Sequence, residues 1–496
     1  MDVNVCLRLR IFICAVLLGL AGYVLSVDAA PPCILANART GAKEIKPIQL
    51  HPDNPHYFLW RGRPNVLITS GEHYGAVLNR AFNYRKYLRT LESYGLNLTR
   101  TFSGAYCEPI GAFKIQNNTL APAKSQFICP WARSDTPGYA NGGNKFDLTK
   151  WDNAYFKRLR NFLAEAGKCG VVVELVLFCP FYNDDMWKLS PMNAANNVNG
   201  IGKMERTEVY TLNHPKLLSV QDAMVCKIVE ELRNFDNVYY EICNEPYERS
   251  GQSDAWQAHI AETIVAAEER FHYKHLIAQN LPWRPQNLPK GTQNRIMPVR
   301  HVSILNFHSA SPPKPVTIYY DLNKVIAYDE TGRGSNKKYR TEGWDFIIAG
   351  GAVYDNLDLS FTVGYEDGTS KSNAPGGGGP VLHKQLEILK DFINSFDFIR
   401  MKPDNSVIKG GVPDKATARA LVRVGRAYAI YINGGSETKL IVELPKGTYR
   451  AEWVNTKMGK VDKTEKFRHA NGNRMLPSPK YVDDIALRIR RAPIRK

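Results

Sequence analysis

Outside its first 30 residues, the 496-residue chain has no apolar run long enough to cross a membrane. Its nine cysteines include no CxxC pair and no spacing typical of a metal site. Cys107 and Cys129 flank one predicted loop and could pair in an oxidising compartment. Despite a net charge of +17, no nucleic-acid-binding motif is present. We therefore expect no metal, no cofactor and no nucleic-acid partner.

The N-terminus has the pattern of a cleaved export signal. A basic stretch precedes the apolar run 11–27, and small residues follow it at the point where cleavage is expected. This pattern predicts removal of residues 1–29 and no stable membrane insertion afterwards. The expected location of the mature protein is secreted or periplasmic.

Between residues 45 and 400, short apolar strands alternate with amphipathic helices, as in parallel βα units. Eight such units predict an α/β fold, a (β/α)8 TIM barrel, as the catalytic domain. A hairpin over 51–64 is expected to close the bottom of the barrel, and Ser219 is expected to cap a helix. The predicted strands are 65–69, 96–102, 171–178, the stretch ending at Glu245, 275–280, 302–307, 325–330 and 353–359.

After Pro403 the pattern changes to period-two runs separated by Gly, Asn and Pro. This change predicts a small C-terminal antiparallel β-sandwich domain over 405–492. Residues 401–496 carry 21 Lys and Arg against 9 Asp and Glu. The excess fits contact with an anionic matrix, and equally a solvated basic surface. Tyr449 and Trp453 suit a sugar-stacking platform or, as we favour, the core of the module.

Two glutamates end predicted strands 85 positions apart. Glu245 closes NVYYEICNE just before Pro246, and Glu330 lies in VIAYDETG. Cleaving a glycosidic bond with retention needs two carboxylates about 5 Å apart, one as acid/base and one as nucleophile. A barrel brings the ends of distant strands together, so these residues can meet at its mouth. One of them would then be the acid/base and the other the nucleophile.

Polar residues near these glutamates are candidates for substrate binding. Asn244 can donate to a sugar 2-hydroxyl. Arg100, in LTRTF, either keeps the nucleophile ionised or serves as a structural ion-pair partner. His308 either binds a hydroxyl, orients a partner or is simply a satisfied buried histidine. A metal site from Glu72, His73 and His308 lacks ligand spacing. Further substrate-binding candidates at the end of the first strand and in the third loop are Glu72, His73 and Trp187.

Together, NVYYEICNEP, VIAYDETG, LTRTF and LNFH resemble clan A glycoside hydrolases, most closely the cellulase and mannanase type of family 5. The resemblance covers residues 45–400 and implies that Glu245 is the acid/base and Glu330 the nucleophile, with Asp329 as the next candidate nucleophile. Three positions depart from it: Cys179 stands where a His is common, Ala310 where the family has a Tyr, and 354–356 where it has a Trp.

The C-terminal stretches YAIYINGG and GTYRAEWVNTKMGK are similar to the sandwich module named collagen-binding in other predicted glycosidases. That name is no evidence of collagen binding.

The sequence therefore predicts an exported retaining glycosidase, an O-glycosyl hydrolase acting on a poly- or oligosaccharide. The alternative is a non-catalytic carbohydrate- or matrix-binding protein on the same scaffold. The presence of both carboxylates together with Asn244 and Arg100 favours the enzyme.

Overall fold

A three-stranded antiparallel sheet comes first in the computed structural model, which describes residues 46–71, 74–246, 253–282, 296–371 and 377–492. The predicted export signal lies outside these residues. Phe58 is fully buried and stacks near Tyr239, at the start of a barrel strand, so the expected hairpin does pack at the bottom of the barrel. The three strands are β1 (Gln49–His51), β2 (Asn54–Trp60) and β3 (Arg63–Asn65).

Eight parallel strands form the barrel, in the order β4-β13-β12-β11-β10-β9-β8-β5. Asn97 joins the two end strands, because its side chain accepts from Ile68 N at 2.9 Å and donates to Val66 O at 2.9 Å. The predicted (β/α)8 fold is confirmed. The barrel strands are β4 (Leu67–Ile68), β5 (Leu98–Phe102), β8 (Val172–Phe178), β9 (Val238–Cys243), β10 (Ile277–Leu281), β11 (Ile304–His308), β12 (Val325–Thr331) and β13 (Val353–Asn356).

Helices connect the strands around the outside; the first two bury one face, as the periodicity predicts, whereas the seventh is buried on nearly all sides in its second half. In the second helix, Asp152 caps the first turn by accepting from Ala154 N and Tyr155 N. The expectation that Ser219 caps a helix is wrong, because Ser219 lies inside that helix. The helix begins with Pro215, a residue suited to a first turn. The helices are α1 (Tyr84–Ser93), α2 (Asn153–Lys168), α3 (Asp184–Trp187), α4 (Pro215–Leu232), α5 (Ser253–Glu268), α6 (Lys314–Tyr319), α7 (Asn336–Ile348) and α8 (Pro380–Asn394). In the described part of the chain, none of them is long and apolar enough to span a membrane.

The long loop after β5 contains a hairpin of β6 (Trp131–Pro137) and β7 (Asn144–Trp151). Cys107 and Cys129 are both buried in this region as free thiols, so the disulfide considered from the sequence is not formed. Burial raises the pKa of the Cys107 thiol to about 12, which keeps it protonated and unreactive.

Two antiparallel sheets, ordered β14-β16-β17-β22-β19-β20 and β15-β18-β21, form the C-terminal sandwich. Tyr449 and Trp453 are buried between them, so both are core residues and neither offers a stacking platform. The strands are β14 (Lys402–Pro403), β15 (Ile408–Gly410), β16 (Thr417–Arg423), β17 (Ala427–Asn433), β18 (Lys439–Leu444), β19 (Gly447–Val454), β20 (Val461–His469), β21 (Gly472–Pro477) and β22 (Asp484–Arg491).

The sandwich packs on the barrel through α7. Trp344 is fully buried and stacks on Tyr431 of β17, with ring centroids 5.4 Å apart. Arg340 donates to Asp484 Oδ1 at 2.6 Å, and the side chains of this pair are 4% and 0% exposed. An apolar stack and a buried ion pair therefore connect the two parts.

Replacing Asp484 with Ala should destabilise the whole chain by about 3–5 kcal/mol, because Arg340 loses the carboxylate nearest to its buried charge. Glu443→Ala is the matched control, since its pair with Lys409 is largely exposed and should contribute little. The measurement is the free energy of unfolding from denaturant titration. Equal losses in the two variants would contradict a structural role for the buried pair.

Candidate active site

Glu245 and Glu330 meet at the C-terminal end of the barrel strands. A carboxylate oxygen of each and a ring nitrogen of His308 all lie within 4.8 Å of one another. The side chain of Glu245 is 26% exposed and that of Glu330 19%, so both face an accessible mouth. Glu245 has φ +38°, an uncommon value for a non-glycine residue. The residue that the sequence placed at the end of a strand is thus held in a strained backbone, as happens at functional sites.

Arg100, on β5, is the buried cation beneath the two glutamates. Its side chain is fully buried, and its Nη2 donates to Glu241 Oε1 and to Asn244 Oδ1, both at 2.7 Å. Its Nε lies 3.2 Å from Asp329 Oδ2, and its Nη1 lies 3.5 Å from Glu330 Oε2. Burial alone would lower the pKa of Arg100, but the surrounding carboxylates raise it, so the guanidinium keeps its charge.

His308 ends β11 and lies between three carboxylates. Its Nδ1 is 3.1 Å from Glu245 Oε1 and 3.7 Å from Glu330 Oε2, and its Nε2 is 3.0 Å from Asp329 Oδ1. Burial would lower its pKa, but the charges of Glu330, Asp329 and Glu245 raise it to about 10. The ring is therefore an imidazolium whose nitrogens both face carboxylates.

Two tyrosines that the sequence did not single out complete the contacts of the glutamates. The hydroxyl of Tyr74 donates to Glu330 Oε2. The hydroxyl of Tyr182 donates to Glu245 Oε2 at 2.9 Å and accepts from Asn244 Nδ2 at 2.8 Å. Both tyrosines lie on connecting segments, whose course the strand pattern does not predict. Tyr74 gives Glu330 a hydroxyl donor in a chain that has Ala310 where the family has a Tyr.

The surroundings of the two glutamates shift their pKa values in opposite directions. For Glu245, burial favours the protonated form, but His308, Tyr182 and Arg100 outweigh it and lower the pKa to about 2. For Glu330, burial and the charge of Glu245 raise the pKa against the opposing effects of His308, Arg100 and Tyr74. The pKa of Glu245 is the lower of the two because His308 lies closer to Glu245 than to Glu330. The two carboxylates interact strongly and titrate as a pair.

A second carboxylate cluster lies deeper in the barrel, where oxygens of Glu174, Glu241 and Asp329 all come within 4.8 Å of one another. Asn306 donates to Glu241 Oε2 at 2.8 Å and also to Asp329. Burial and the neighbouring carboxylates raise the pKa of Glu174 well above its ordinary value, which favours its protonated form. The single glutamate within the apolar strand VVVELVLF was the sequence signal for this cluster.

The remaining predicted site residues have different outcomes. Asn244 is buried beside Glu245 and is held between Arg100 and Tyr182. Trp187 was expected to be exposed, but it is buried. It is 5% exposed, and its Nε1 donates to Met204 O at 3.0 Å. Its ring packs on Phe181, so it supports the third loop rather than offering a face to a sugar. The two candidates at the end of the first strand, Glu72 and His73, lie outside the described residues.

Solved structures share this fold at low sequence identity. A protein from Bacteroides vulgatus ATCC 8482, provisionally classed as a glycoside hydrolase, superposes with a TM-score of 0.62 at 14% identity, over 90% of this chain and 82% of that one. A family 5 glycoside hydrolase from the same organism gives 0.57 at 13% identity, over 90% and 96%. A third structure, described as a glycoside hydrolase, gives 0.56 at 15% identity, over 90% and 97%. No protein-family model and no curated protein matches the sequence. At these identities the likeness shows a shared fold, and the expected resemblance to family 5 is confirmed at that level.

Replacing Arg100 with Met should destabilise the protein by about 3–5 kcal/mol at pH 7, because buried carboxylates lose their counterion. In the wild type, the pKa of Asp329 is lowered to about 2, so its stabilising effect is present above its ordinary pKa of 3.8 and fades as pH falls towards 2. In the variant, Asp329 keeps His308 but loses the guanidinium, so protonation of Asp329 relieves a buried charge that is less well compensated than in the wild type. The loss should therefore be smaller at pH 4 than at pH 7.

Denaturant unfolding at the two pH values measures this difference. Arg61→Met is the control, since Arg61 pairs with Asp236 at the surface and its side chain is 46% exposed. A loss in Arg100→Met that is equal at both pH values would show that the guanidinium does not act as a counterion.

Proposed function

We propose that this chain is a retaining glycoside hydrolase in which Glu330 is the nucleophile and Glu245 the acid/base. The observation that carries the proposal is the approach of their carboxylate oxygens to within 4.8 Å at the barrel mouth. Retaining enzymes place the two carboxyl groups about 5–5.5 Å apart, whereas inverting enzymes leave about 6.5–9.5 Å for a water molecule. A closest approach this short supports the retaining arrangement.

The proposed reaction has two displacements. Glu330 attacks the anomeric carbon while Glu245 gives its proton to the leaving oxygen, so a glycosyl ester forms and the glycosidic bond breaks. Glu245, now a carboxylate, then takes a proton from water, which attacks the anomeric carbon and releases Glu330. Arg100 and Tyr74 stabilise the ionised form of Glu330, and Asn244 can donate to the sugar 2-hydroxyl.

His308 supplies a route for the proton that this reaction needs. In the free protein the pKa of Glu245 is lowered and that of Glu330 is raised, so a proton shared by the pair favours Glu330, whereas the first displacement needs it on Glu245. His308 Nδ1 lies between them, at 3.1 Å from Glu245 Oε1 and 3.7 Å from Glu330 Oε2. It can pass its own proton to Glu245 and take the proton of Glu330, which leaves an ionised nucleophile and a protonated acid. His308 then orients and recharges the acid/base.

Replacing Glu330 with Gln should abolish turnover of every substrate, because an amide cannot form the glycosyl ester. Replacing Glu245 with Gln should slow substrates with poor leaving groups far more than activated aryl glycosides, which need little proton donation. Initial rates on a panel of aryl glycosides and polysaccharides measure both effects. Glu342→Gln is the isosteric control, because this carboxyl lies on α7 and pairs with Lys338.

Full activity in Glu330→Gln would assign the nucleophile to another group, with Asp329 next. Equal slowing of both substrate classes by Glu245→Gln would contradict the acid/base role. Binding of a polysaccharide by a wild-type protein that turns over no member of the panel would favour the non-catalytic alternative.

The acidic limb of kcat/KM for an activated aryl glycoside should follow the ionisation of Glu330. The Tyr74 hydroxyl lowers the pKa of Glu330 and the charge of Glu245 raises it. Tyr74→Phe should therefore move this limb to higher pH, and Glu245→Gln should move it to lower pH. Tyr328→Phe is the control, since that hydroxyl donates to Ala310 O. If both variants move the acidic limb in the same direction, or neither moves it, the limb does not report the ionisation of Glu330.

A further inference from the structure

A groove on the outer wall of the barrel gathers positive charge without a matching carboxylate. It has a volume of about 770 Å³ and lies chiefly between α1 and α2. No Asp or Glu is among the described residues that line it. The cations that line it are Arg80, Arg85, Lys157, Arg158 and Arg160.

Two of these cations already have partners. Arg158 donates to the backbone oxygens of Ala76, Asn79 and Phe82, each at 2.9 Å, so it holds the segment before α1. Burial and the charges of Arg80 and Arg85 lower its pKa to about 10, a sign that the cations repel one another. Arg160 pairs with Glu231.

The other three cations face solvent. Arg80, Arg85 and Lys157 are exposed, and within the described ranges no ion pair joins any of them to an Asp or Glu. Arg85 donates to the side-chain oxygen of Asn161. Three guanidinium or ammonium groups therefore border one groove without an ion pair among the described residues, although Glu165 lies close enough to feel the charge of Arg85. An anionic ligand would stabilise this arrangement.

The C-terminal sandwich, although more basic in composition, is differently arranged. Glu452 pairs with three of its arginines, while Lys457 pairs with Asp483 and Arg474 with Glu465. Its charge is thus partly neutralised within the module, whereas the cations of the groove face solvent together.

We propose that the groove between α1 and α2 binds a carboxylate- or sulfate-bearing polysaccharide. Its lining along α2 runs from Ala154 to Ala164, about 15 Å at the rise of an α-helix, which suits an extended chain better than a single small anion. Arginine binds carboxylate and sulfate groups in a bidentate manner. The groove lies on the helical wall, apart from the carboxylates of the mouth, so it serves attachment to a polymer rather than bond cleavage.

The test compares two triple variants that remove the same charge. Arg80→Gln, Arg85→Gln and Lys157→Gln change the groove, and Lys415→Gln, Lys446→Gln and Lys460→Gln change exposed positions of the sandwich. Affinity electrophoresis of the full chain in gels containing polygalacturonate, dextran sulfate or neutral dextran gives the dissociation constants. These measurements need no turnover, so their result is independent of the proposed hydrolysis.

The groove variant should bind at least one of the two polyanions roughly tenfold more weakly, a loss of about 1.4 kcal/mol, while the sandwich variant stays close to wild type. Wild-type binding should weaken as salt is added, and neutral dextran should not retard the protein. The choice between polygalacturonate and dextran sulfate identifies the preferred anionic group. Circular dichroism of both variants verifies that they are folded.

Equal weakening in the two triple variants would assign the effect to net charge and overturn the proposal. So would a wild-type protein that neither polyanion retards. Binding of single-stranded oligothymidylate as tight as that of the polyanions, and lost in the same groove variant, would make the groove a nucleic-acid site and would also overturn it. The single variant Arg80→Gln should show a partial loss of polyanion binding, in the same direction as the triple variant.

Discussion

The buried charge of Arg100 is the interaction on which the centre of this barrel depends. The guanidinium contacts Glu241, Asn244, Asp329 and Glu330, which belong to or follow two different strands. Without a cation at that point, several carboxylates would face one another in a medium of low dielectric constant, and the barrel could not keep them ionised. The same contacts hold Asn244 and lower the pKa of Asp329. Stability and reactivity here therefore come from one electrostatic network and cannot be optimised separately.

The position of the proton in this network is a collective property. Moving one proton between Glu245, His308 and Glu330 changes the pKa of each, because each contributes to the field at the others. A sugar placed between the two glutamates would replace part of that field with its own hydroxyl groups. The protonation states of Glu245 and Glu330 during a reaction therefore depend on the bound ligand as well as on each other. They need not equal those of the free protein.

The sequence predicts most of the barrel because strand period and helix period are local properties. Strand β8 (Val172–Phe178) agrees with the predicted 171–178, and the two glutamates come together because parallel strands end at one edge. The features that the sequence does not predict depend on contacts between residues that are far apart in the chain. Trp187 reads as an exposed loop residue until the burial by its neighbours is known, and Tyr74 reaches Glu330 from a connection whose path has no periodic signal. The inner cluster around Glu174 was visible only as one charge in an apolar strand.

The contact between α7 and β17 has a consequence for how the chain can change over evolutionary time. Apolar residues of the sandwich, among them Leu421, Ala429 and Tyr431, belong to the same buried cluster as the barrel core. Because the sandwich shares a buried core with the barrel, it cannot be exchanged as an independent module. Grafting it onto another barrel would require a receiving helix with a complementary ring and an arginine at matching positions. Substitutions on the two sides of this seam are therefore expected to co-vary, and recombination at Pro403 should rarely yield a folded chimera.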